Sequence, residues 1–247
     1  MHQEVQTVPP PPKSAEEYLE EVTAFVEQRN ISTFFQSESK DAGGLLETLS
    51  SKAASLVKNL EQGKVDAVGD KSFITDAAIV ADVVKISLYD HVIFCDDSYS
   101  MRMYDRVEPL KRTLNSIAKI TLALNEPSHS GGISLRFINY PRDDQMNNIT
   151  SISEIEKAIS KVPFDGRTEL GTQLKRKVLE PFLVDRLKRQ KGKLDKPILI
   201  TIITDGKPEG EDRDELKYTI KECMESMGQN TSGEFMILSR QMRVGLG

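Results

Sequence analysis

Carboxylates and hydroxyls follow directly on a short apolar run near the middle of the chain. The run is Val92–Cys95, and Asp96, Ser98 and Ser100 come after it at alternate positions. An apolar run of this kind, bounded by polar residues, is typical of a strand that is buried on both faces. Ligands of open parallel sheets bind outside the carboxyl ends of the strands. We therefore expect these three side chains at a ligand-binding edge.

Two further groups can reach the same edge. Asp205 follows the strand-like run Ile198–Ile203, and Thr168 lies in the loop Gly166–Gly171, just before a helical pattern. If the two strands are neighbours, carboxylates and hydroxyls meet there without any His or Cys. Such oxygen ligands suit hard cations such as Mg²⁺, Mn²⁺ or Ca²⁺. Because few of these ligands are charged, a bound ion would stay electron-poor and would favour an external carboxylate.

This set of residues resembles the metal-ion-dependent adhesion site of von Willebrand factor type A domains. That pattern is Asp-x-Ser-x-Ser, then a distant Thr and a distant Asp, and here it falls on Asp96, Ser98, Ser100, Thr168 and Asp205. The resemblance implies that the hydroxyls ligate Mg²⁺ (or Mn²⁺ or Ca²⁺) directly, and that both Asp residues act directly or through water. It also implies a non-enzymatic, metal-dependent protein-binding module, in which an acidic residue of a partner protein completes the metal site.

The first motif departs from the family's commonest form at one position. Tyr99 stands where that form has Gly, whereas Met101 keeps its Met. A tyrosine can narrow the mouth of the site or contact a partner, and we assign Tyr99 and Met101 to the partner-binding surface. The stretch from Leu88 to Ser98 also resembles the stand-alone intracellular members of the family found in fungi, which implies a cytoplasmic protein.

The order of strands and helices predicts the fold class. Strands are predicted at His91–Cys95, Ile133–Tyr140, Ile198–Ile203 and Glu234–Leu238. They alternate with helical patterns of about ten or more residues, as in proteins built from right-handed crossover units. The sequence therefore predicts an α/β fold with a doubly wound, mainly parallel, Rossmann-like sheet and helices on both faces.

Three regions are expected along the chain: a disordered Pro-rich tail (1–13), a helical prefix (14–86) and a von Willebrand factor type A domain (87–247). The family fold continues past its fifth strand with a helix, a sixth strand and a terminal helix. After Leu238 this sequence has no such pattern, so we expect a C-terminally incomplete domain. Its last strand would then be an uncovered sheet edge, and we expect poor solubility or a partly molten state.

Local signals predict several helix ends. The segments Ser14–Glu17 and Ser153–Glu156 both match the capping-box pattern, which predicts a helix N-terminus at each. A third prefix helix is predicted over Phe73–Lys85. Pro181 lies inside an otherwise helical pattern, so we expect it to kink that helix or to begin a new one.

The composition excludes several functional classes. The chain has 38 acidic and 33 basic residues and a net charge of −5, which gives no electrostatic reason to bind nucleic acid or anionic membrane. No apolar run approaches the roughly 18 residues of a membrane span, and the N-terminus lacks a signal-peptide pattern. Cys95 and Cys223 are predicted as small core residues. We expect an intracellular, reduced protein.

Other interpretations fit parts of this pattern. A carboxylate at a strand end can simply cap the next helix. A Mg²⁺-dependent phosphohydrolase would use Asp96 as its nucleophile, but that class needs Asp-x-Asp, and Ser98 stands at the second position. A nucleotide-dependent switch needs a Gly-x-x-x-x-Gly-Lys-Ser/Thr loop, which the sequence lacks. Because no nucleophile–base pair is visible in the predicted loops, we expect no catalysis.

Overall fold

The computed structural model describes residues 13–35, 40–61, 77–124, 132–141, 146–190, 194–206, 208–227 and 235–241. The predicted tail before residue 13 and the segment after residue 241 lie outside these ranges, as does the part of the predicted third prefix helix before residue 77. Among the described helices, none combines the length and the apolar character that a transmembrane span requires.

Helices and strands follow one another in this order. The prefix contains α1 (Ala15–Gln28), a 3₁₀ turn (Ser32–Phe34), α2 (Lys40–Glu61) and α3 (Ala77–Ser87). Next come β1 (Asp90–Cys95), α4 (Tyr99–Met103), α5 (Val107–Ala123), β2 (Ser134–Phe137) and α6 (Ile152–Ile159). The last are α7 (Leu170–Leu174), a π-helical segment (Lys175–Val184), α8 (Asp185–Arg189), β3 (Ile198–Thr204), α9 (Glu215–Met227) and β4 (Phe235–Gln241).

The four strands form one parallel sheet in the order β2-β1-β3-β4. The predicted α/β fold with a doubly wound parallel sheet is confirmed. β1 and β3 are direct neighbours, and their register pairs Cys95 with Ile203. Parallel strands in this register end side by side, so the residues that follow them begin at the same edge of the sheet. This pairing places Asp96 close to Asp205.

Helices cover both faces of the sheet. Because side chains alternate between the faces along each strand, neighbouring residues of one strand pack in different cores. On one face, Ile93 packs in a core with residues of α5 and α6, including Leu114 and Ile155. On the opposite face, Phe94 packs against the helical stretch that begins with α7 and against Cys223 of α9. Strands covered on both faces are apolar along much of their length, as the sequence suggested for Val92–Cys95.

The helical prefix packs directly on the sheet. Its core joins side chains of α1, α2 and α3, such as Val22, Leu49 and Val84, to Leu199 of β3. Met236 of β4 packs against the same cluster. Apolar burial against α1–α3 therefore covers part of one face of β3 and β4.

The two predicted capping boxes have different outcomes. Ser14 caps α1 in a full box with Glu17, as predicted. The second box is wrong in register: the cap of α6 is Ser151, paired with Glu154, rather than Ser153 with Glu156. The earlier start brings Ile152 into the helix, on the apolar face that it shares with Ile155. Burial of this face selects between two Ser-x-x-Glu patterns that the sequence offers equally.

Pro181 does not begin a new helix, which was one of the two effects that the sequence predicted for it. It lies inside the π-helical segment, and at the end of that segment the Asp185 N–H donates to the carbonyl of Glu180, five residues earlier. Proline cannot donate the regular helical hydrogen bond and its ring crowds the preceding turn. A wider π turn accommodates both effects, so the helix continues into α8.

The burial of the prefix predicts that prefix and sheet unfold together. Leu49→Ala removes a side chain that is 2% exposed, and we expect it to lower the free energy of unfolding by about 2–5 kcal/mol. Hydrogen exchange should then accelerate in β1 and β3 as well as in α1–α3. The control is Glu47→Ala on the exposed side of the same helix, expected to change stability by less than about 0.5 kcal/mol. Unchanged protection of β1 and β3 in Leu49→Ala would contradict a shared core.

His91 is a buried imidazole at the opposite end of β1 from Asp96. Its Nε2 lies 3.0 Å from the carbonyl oxygen of Ile86. Burial, and secondarily the charge of Lys196, lower the pKa of His91 to about 3, while the hydrogen bond to Ile86 acts in the opposite direction. The unfolded chain, in which this imidazole has an ordinary pKa of about 6.5, binds a proton as the pH falls below that value. The folded chain keeps the imidazole neutral until the pH approaches about 3.

This lowered pKa predicts a loss of stability as the pH falls. Below about pH 6.5 the unfolded state binds the proton and the folded state does not, so His91 costs up to about 1.4 kcal/mol of unfolding free energy per pH unit until about pH 3. His91→Gln removes the titrating group and should flatten this dependence. Urea unfolding of both proteins between about pH 7 and pH 5 measures the difference. Parallel curves would show that His91 does not contribute.

Candidate functional site

Asp96 is the innermost group of the candidate site. It directly follows β1 and is fully buried. Its Oδ1 accepts a hydrogen bond from the Ser98 N–H at 2.9 Å, and its Oδ2 accepts one from the Thr204 hydroxyl at 2.8 Å. The N–H of Asp205 lies 3.5 Å from the same Oδ2. One carboxylate therefore joins the loop after β1 to the end of β3. The cap residue of α4 is Ser98, so Asp96 does not cap this helix, and the capping role considered from the sequence does not apply to it.

The two serines and Asp205 form a continuous set of oxygens in front of Asp96. The hydroxyls of Ser98 and Ser100 lie 3.1 Å apart. Ser100 donates its hydroxyl hydrogen to Oδ2 of Asp205 at 2.6 Å. The Ser98 residue is 2% exposed and the Asp205 side chain is 6% exposed, so these two residues are largely sheltered from solvent. The structure thus brings together four of the five predicted ligands by direct hydrogen bonds.

Thr168, the fifth predicted ligand, is held beside this set through its backbone. The N–H of Tyr99 donates to the Gly166 carbonyl at 3.1 Å, and the N–H of Glu209 donates to the Thr168 carbonyl at 3.0 Å. Thr168 therefore lies between the loops that follow β1 and β3, and the residue is only 3% exposed. Gly166 has a φ of +99°, and a Cβ there would lie 2.6 Å from Oδ1 of Asn139, so this loop requires glycine.

Asp97 fixes the surrounding loops rather than facing the candidate ligands. Its Oδ1 accepts hydrogen bonds from the backbone N–H and the side-chain amide of Asn139, and its Oδ2 accepts one from the Tyr140 N–H. The amide of Asn139 also donates to the Arg167 carbonyl at 3.0 Å. Asp97 therefore connects β1, the loop after β2 and the loop that holds Thr168.

Burial raises the pKa of Asp97 to about 6, and it does so against the hydrogen bonds from Asn139 and Tyr140 and the charge of Lys177, which favour the carboxylate. Lys177 is itself buried and donates to the carbonyls of Phe137 and Tyr140 at 2.7 and 2.6 Å. The π-helical segment that contains Lys177 thus places a cation beneath the loop after β2. In the sequence Lys177 lies in the basic cluster Lys175–Lys177, and that pattern does not indicate that one of its lysines is buried.

Two tyrosines and one methionine are exposed beside the site. Tyr99, Met103 and Tyr104 are 46%, 58% and 57% exposed. Met101, which we assigned to the partner-binding surface, is instead fully buried in the core under α5. A partner role for Met101 does not fit this burial, since its side chain anchors α4 to the domain. The neighbouring Met103 and Tyr104 are accessible in its place, and the sequence pattern alone did not distinguish them.

Arg106 is a member of the site that the sequence analysis missed. Its Nη1 forms an ion pair with Oδ2 of Asp205, with only 18% of the arginine side chain exposed. Its guanidinium carbon also lies 4.6 Å from the centre of the Tyr104 ring. Spacing could not reveal this contact, because it depends on a turn at Asp105, which has a φ of 50°. That turn returns the chain toward the site.

The donor set fits a hard divalent cation. Hydroxyl and carboxylate oxygens converge within hydrogen-bonding distance of one another, and the set contains no nitrogen or sulfur ligand, as Mg²⁺ and related ions prefer. Within the described ranges, no group of three or more His, Cys, Asp or Glu side chains could hold a metal ion. A metal here would therefore depend on the serine and threonine hydroxyls together with Asp96 and Asp205.

Comparison with known proteins does not assign the chain to a family. No protein-family model matches the chain, and no curated protein matches it either. Any assignment of this chain to a family therefore depends on the residue pattern and its geometry.

The network around Asp97 predicts a measurable structural role. Asp97→Ala leaves the part-buried N–H groups of Asn139 and Tyr140 without their acceptor, and we expect it to lower the free energy of unfolding by about 1–3 kcal/mol. Asp97→Asn keeps one acceptor oxygen and should lose less. Asp82→Ala is the control, because that side chain is 72% exposed. Equal stabilities of Asp97→Ala and Asp82→Ala in urea unfolding would exclude this role.

Proposed function

We propose that the chain is a non-enzymatic, metal-dependent protein-binding module of the von Willebrand factor type A kind. In this proposal Asp96, Ser98, Ser100, Thr168 and Asp205 hold a Mg²⁺ ion, with Mn²⁺ or Ca²⁺ as substitutes. The principal support is the convergence of hydroxyls and carboxylates at the shared edge of β1 and β3, where Ser98, Ser100 and Asp205 are linked oxygen to oxygen.

The roles of the ligands follow from their contacts. Both oxygens of Asp96 already accept hydrogen bonds from the chain, so Asp96 would orient the serine loop and act on an ion from behind it. The hydroxyls of Ser98 and Ser100 are neutral ligands with lone pairs to offer. When bound, the ion supplies a positive charge that a set of few carboxylates does not fully neutralise. That residual charge would select an acidic residue of a partner protein.

The exposed side chains beside the site suit a protein partner. Large apolar groups on a surface commonly mark interaction sites when they cluster, and Tyr99, Met103 and Tyr104 occupy one short helix and the turn after it. Arg102 stacks on Tyr99, with its guanidinium carbon 5.1 Å from the ring centre. A partner segment that carries a carboxylate flanked by apolar residues would suit this surface. The carboxylate would bind the metal ion, and the apolar residues would contact Tyr99, Met103 and Tyr104. We place the protein in the cytoplasm on the same family resemblance.

Calorimetric titration with Mg²⁺ and Mn²⁺ tests the metal site. Thr168→Val removes one hydroxyl at nearly constant shape, and we expect the affinity for the ion to fall by at least about tenfold. Asp205→Ala should abolish binding, because it removes a charged ligand. Glu209→Ala is the matched control, since it removes an exposed charge from the same loop edge and should bind as the unaltered chain does. Circular dichroism checks that each variant is folded.

The same samples separate binding from catalysis. A hydrolase that uses Asp96 would release phosphate from an aryl phosphate with Mg²⁺, and Asp96→Asn would stop the release. We expect no turnover with the unaltered chain. Metal-dependent turnover lost in Asp96→Asn would replace the binding module by the hydrolase interpretation, and titrations identical in Thr168→Val, Asp205→Ala and the unaltered chain would remove the proposed site.

A further inference from the structure

We propose that Arg106 is a built-in competitor of the divalent ion: its guanidinium pairs with Asp205, and it must leave that carboxylate for the ion to bind. This inference rests on the proposed metal site and adds to it a residue that sets its affinity. Arg106 lies outside the Asp-x-Ser-x-Ser, Thr and Asp pattern, so no motif pointed to it.

The competition follows from a shared atom. Nη1 of Arg106 and the hydroxyl of Ser100 both donate to Oδ2 of Asp205. A divalent ion held by the Ser100 hydroxyl and acting on Asp205 would need the same region of space. Two positive groups on one sheltered carboxylate repel each other strongly, since there is little water between them to screen the charges. The site therefore accommodates one cation at a time.

The surroundings of Arg106 allow its side chain to leave the Asp205 carboxylate. Its Nε is buried and finds no hydrogen-bond acceptor among the described residues, and a buried donor left without an acceptor is unfavourable. The ring of Tyr104 already faces the guanidinium at 4.6 Å, and Tyr104 is more than half exposed. An arginine stacked on an exposed ring can keep this contact and regain water around its N–H groups. The contact with Tyr104 already exists while Arg106 is paired with Asp205, so it can persist when the guanidinium turns from the carboxylate towards water.

The backbone of Arg106 stays fixed during such an exchange. Its N–H donates to the Met101 carbonyl at 2.9 Å, and its carbonyl accepts the Leu110 N–H at 3.0 Å, in the first turn of α5. Asp105 supplies the left-handed turn, φ 50°, that joins α4 to α5, a conformation that aspartate tolerates better than most residues. Only the long side chain has to move, so the exchange requires no change of fold.

The test measures Mn²⁺ and Mg²⁺ affinity of the full chain and of Arg106→Gln by calorimetry. Removal of a competing ion pair should tighten binding by about tenfold. Arg102→Gln is the matched control, because it deletes the same charge from the same surface while its guanidinium lies over Tyr99 rather than on Asp205. We expect Arg102→Gln to bind within about twofold of the unaltered chain, as a charge screened by solvent should.

The outcomes separate this inference from the metal site itself. Tighter binding in Arg106→Gln alone supports competition. Equal tightening in both variants would reduce the effect to surface charge, and weaker binding in Arg106→Gln would show that Arg106 orients Asp205 instead; either result overturns the inference and leaves the metal site standing. No binding by the unaltered chain and by both variants contradicts the proposed function and the competition with it.

A second measurement uses the unaltered chain and needs no variant to fold. Phenylglyoxal modifies accessible guanidinium groups, and mass spectrometry of peptides reports Arg106 and Arg102 separately. We expect saturating Mg²⁺ to raise the labelling of Arg106 several-fold while that of Arg102 stays constant. Labelling of Arg106 that is unchanged or lower when the ion is bound would show that the side chain does not leave Asp205.

Discussion

The buried carboxylate of Asp96 organises the edge of the sheet on which the proposed function depends. A carboxylate removed from water is tolerated only when its oxygens accept hydrogen bonds, and both oxygens of Asp96 do so, from the Ser98 N–H and the Thr204 hydroxyl. Ser98 begins the serine loop and Thr204 ends β3. The parallel pairing of β1 with β3 brings these groups within reach of one carboxylate. The positions of the serine hydroxyls are therefore a consequence of strand pairing.

The charged residues around this edge have different roles because their surroundings differ. Asp96 and Asp97 are adjacent in sequence and both are buried, yet their side chains bind different loops, one towards β3 and the other towards β2. Asp205 is the carboxylate that faces the serine hydroxyls, and it is the one paired with Arg106. The two neighbouring cations also differ in role: Lys177 donates to the carbonyls of Phe137 and Tyr140, whereas Arg106 pairs with the candidate ligand Asp205.

The features that the sequence predicted are those fixed by local pattern. Alternating strands and helices predicted the parallel sheet, and the Asp-x-Ser-x-Ser spacing placed its oxygens together because the loop directly continues β1. Features that depend on tertiary packing were missed. Met101 and Met103 look equivalent in sequence, but only Met101 meets the core under α5. Arg106 reaches Asp205 through the turn at Asp105, and no spacing rule anticipates such a turn.

The same distinction explains the errors in helix boundaries. Two Ser-x-x-Glu patterns overlap before α6, and the buried face of Ile152 and Ile155 decides between them. Pro181 carries a strong local signal for a break, but the helix that contains it is held by buried neighbours such as Val178 and Phe182 and widens into a π segment instead. In both places, apolar burial outweighs a local preference of about 1–3 kcal/mol.

Locating the ion in a crystal is the most direct measurement for this interpretation. Crystals of the chain soaked in Mn²⁺ would give an anomalous difference map that identifies the metal without reference to any assumed site. We expect one peak within coordination distance of the hydroxyls of Ser98, Ser100 and Thr168, with the guanidinium of Arg106 no longer paired with Asp205. A map without a peak at this edge at saturating Mn²⁺, and with Arg106 still paired to Asp205, would contradict it.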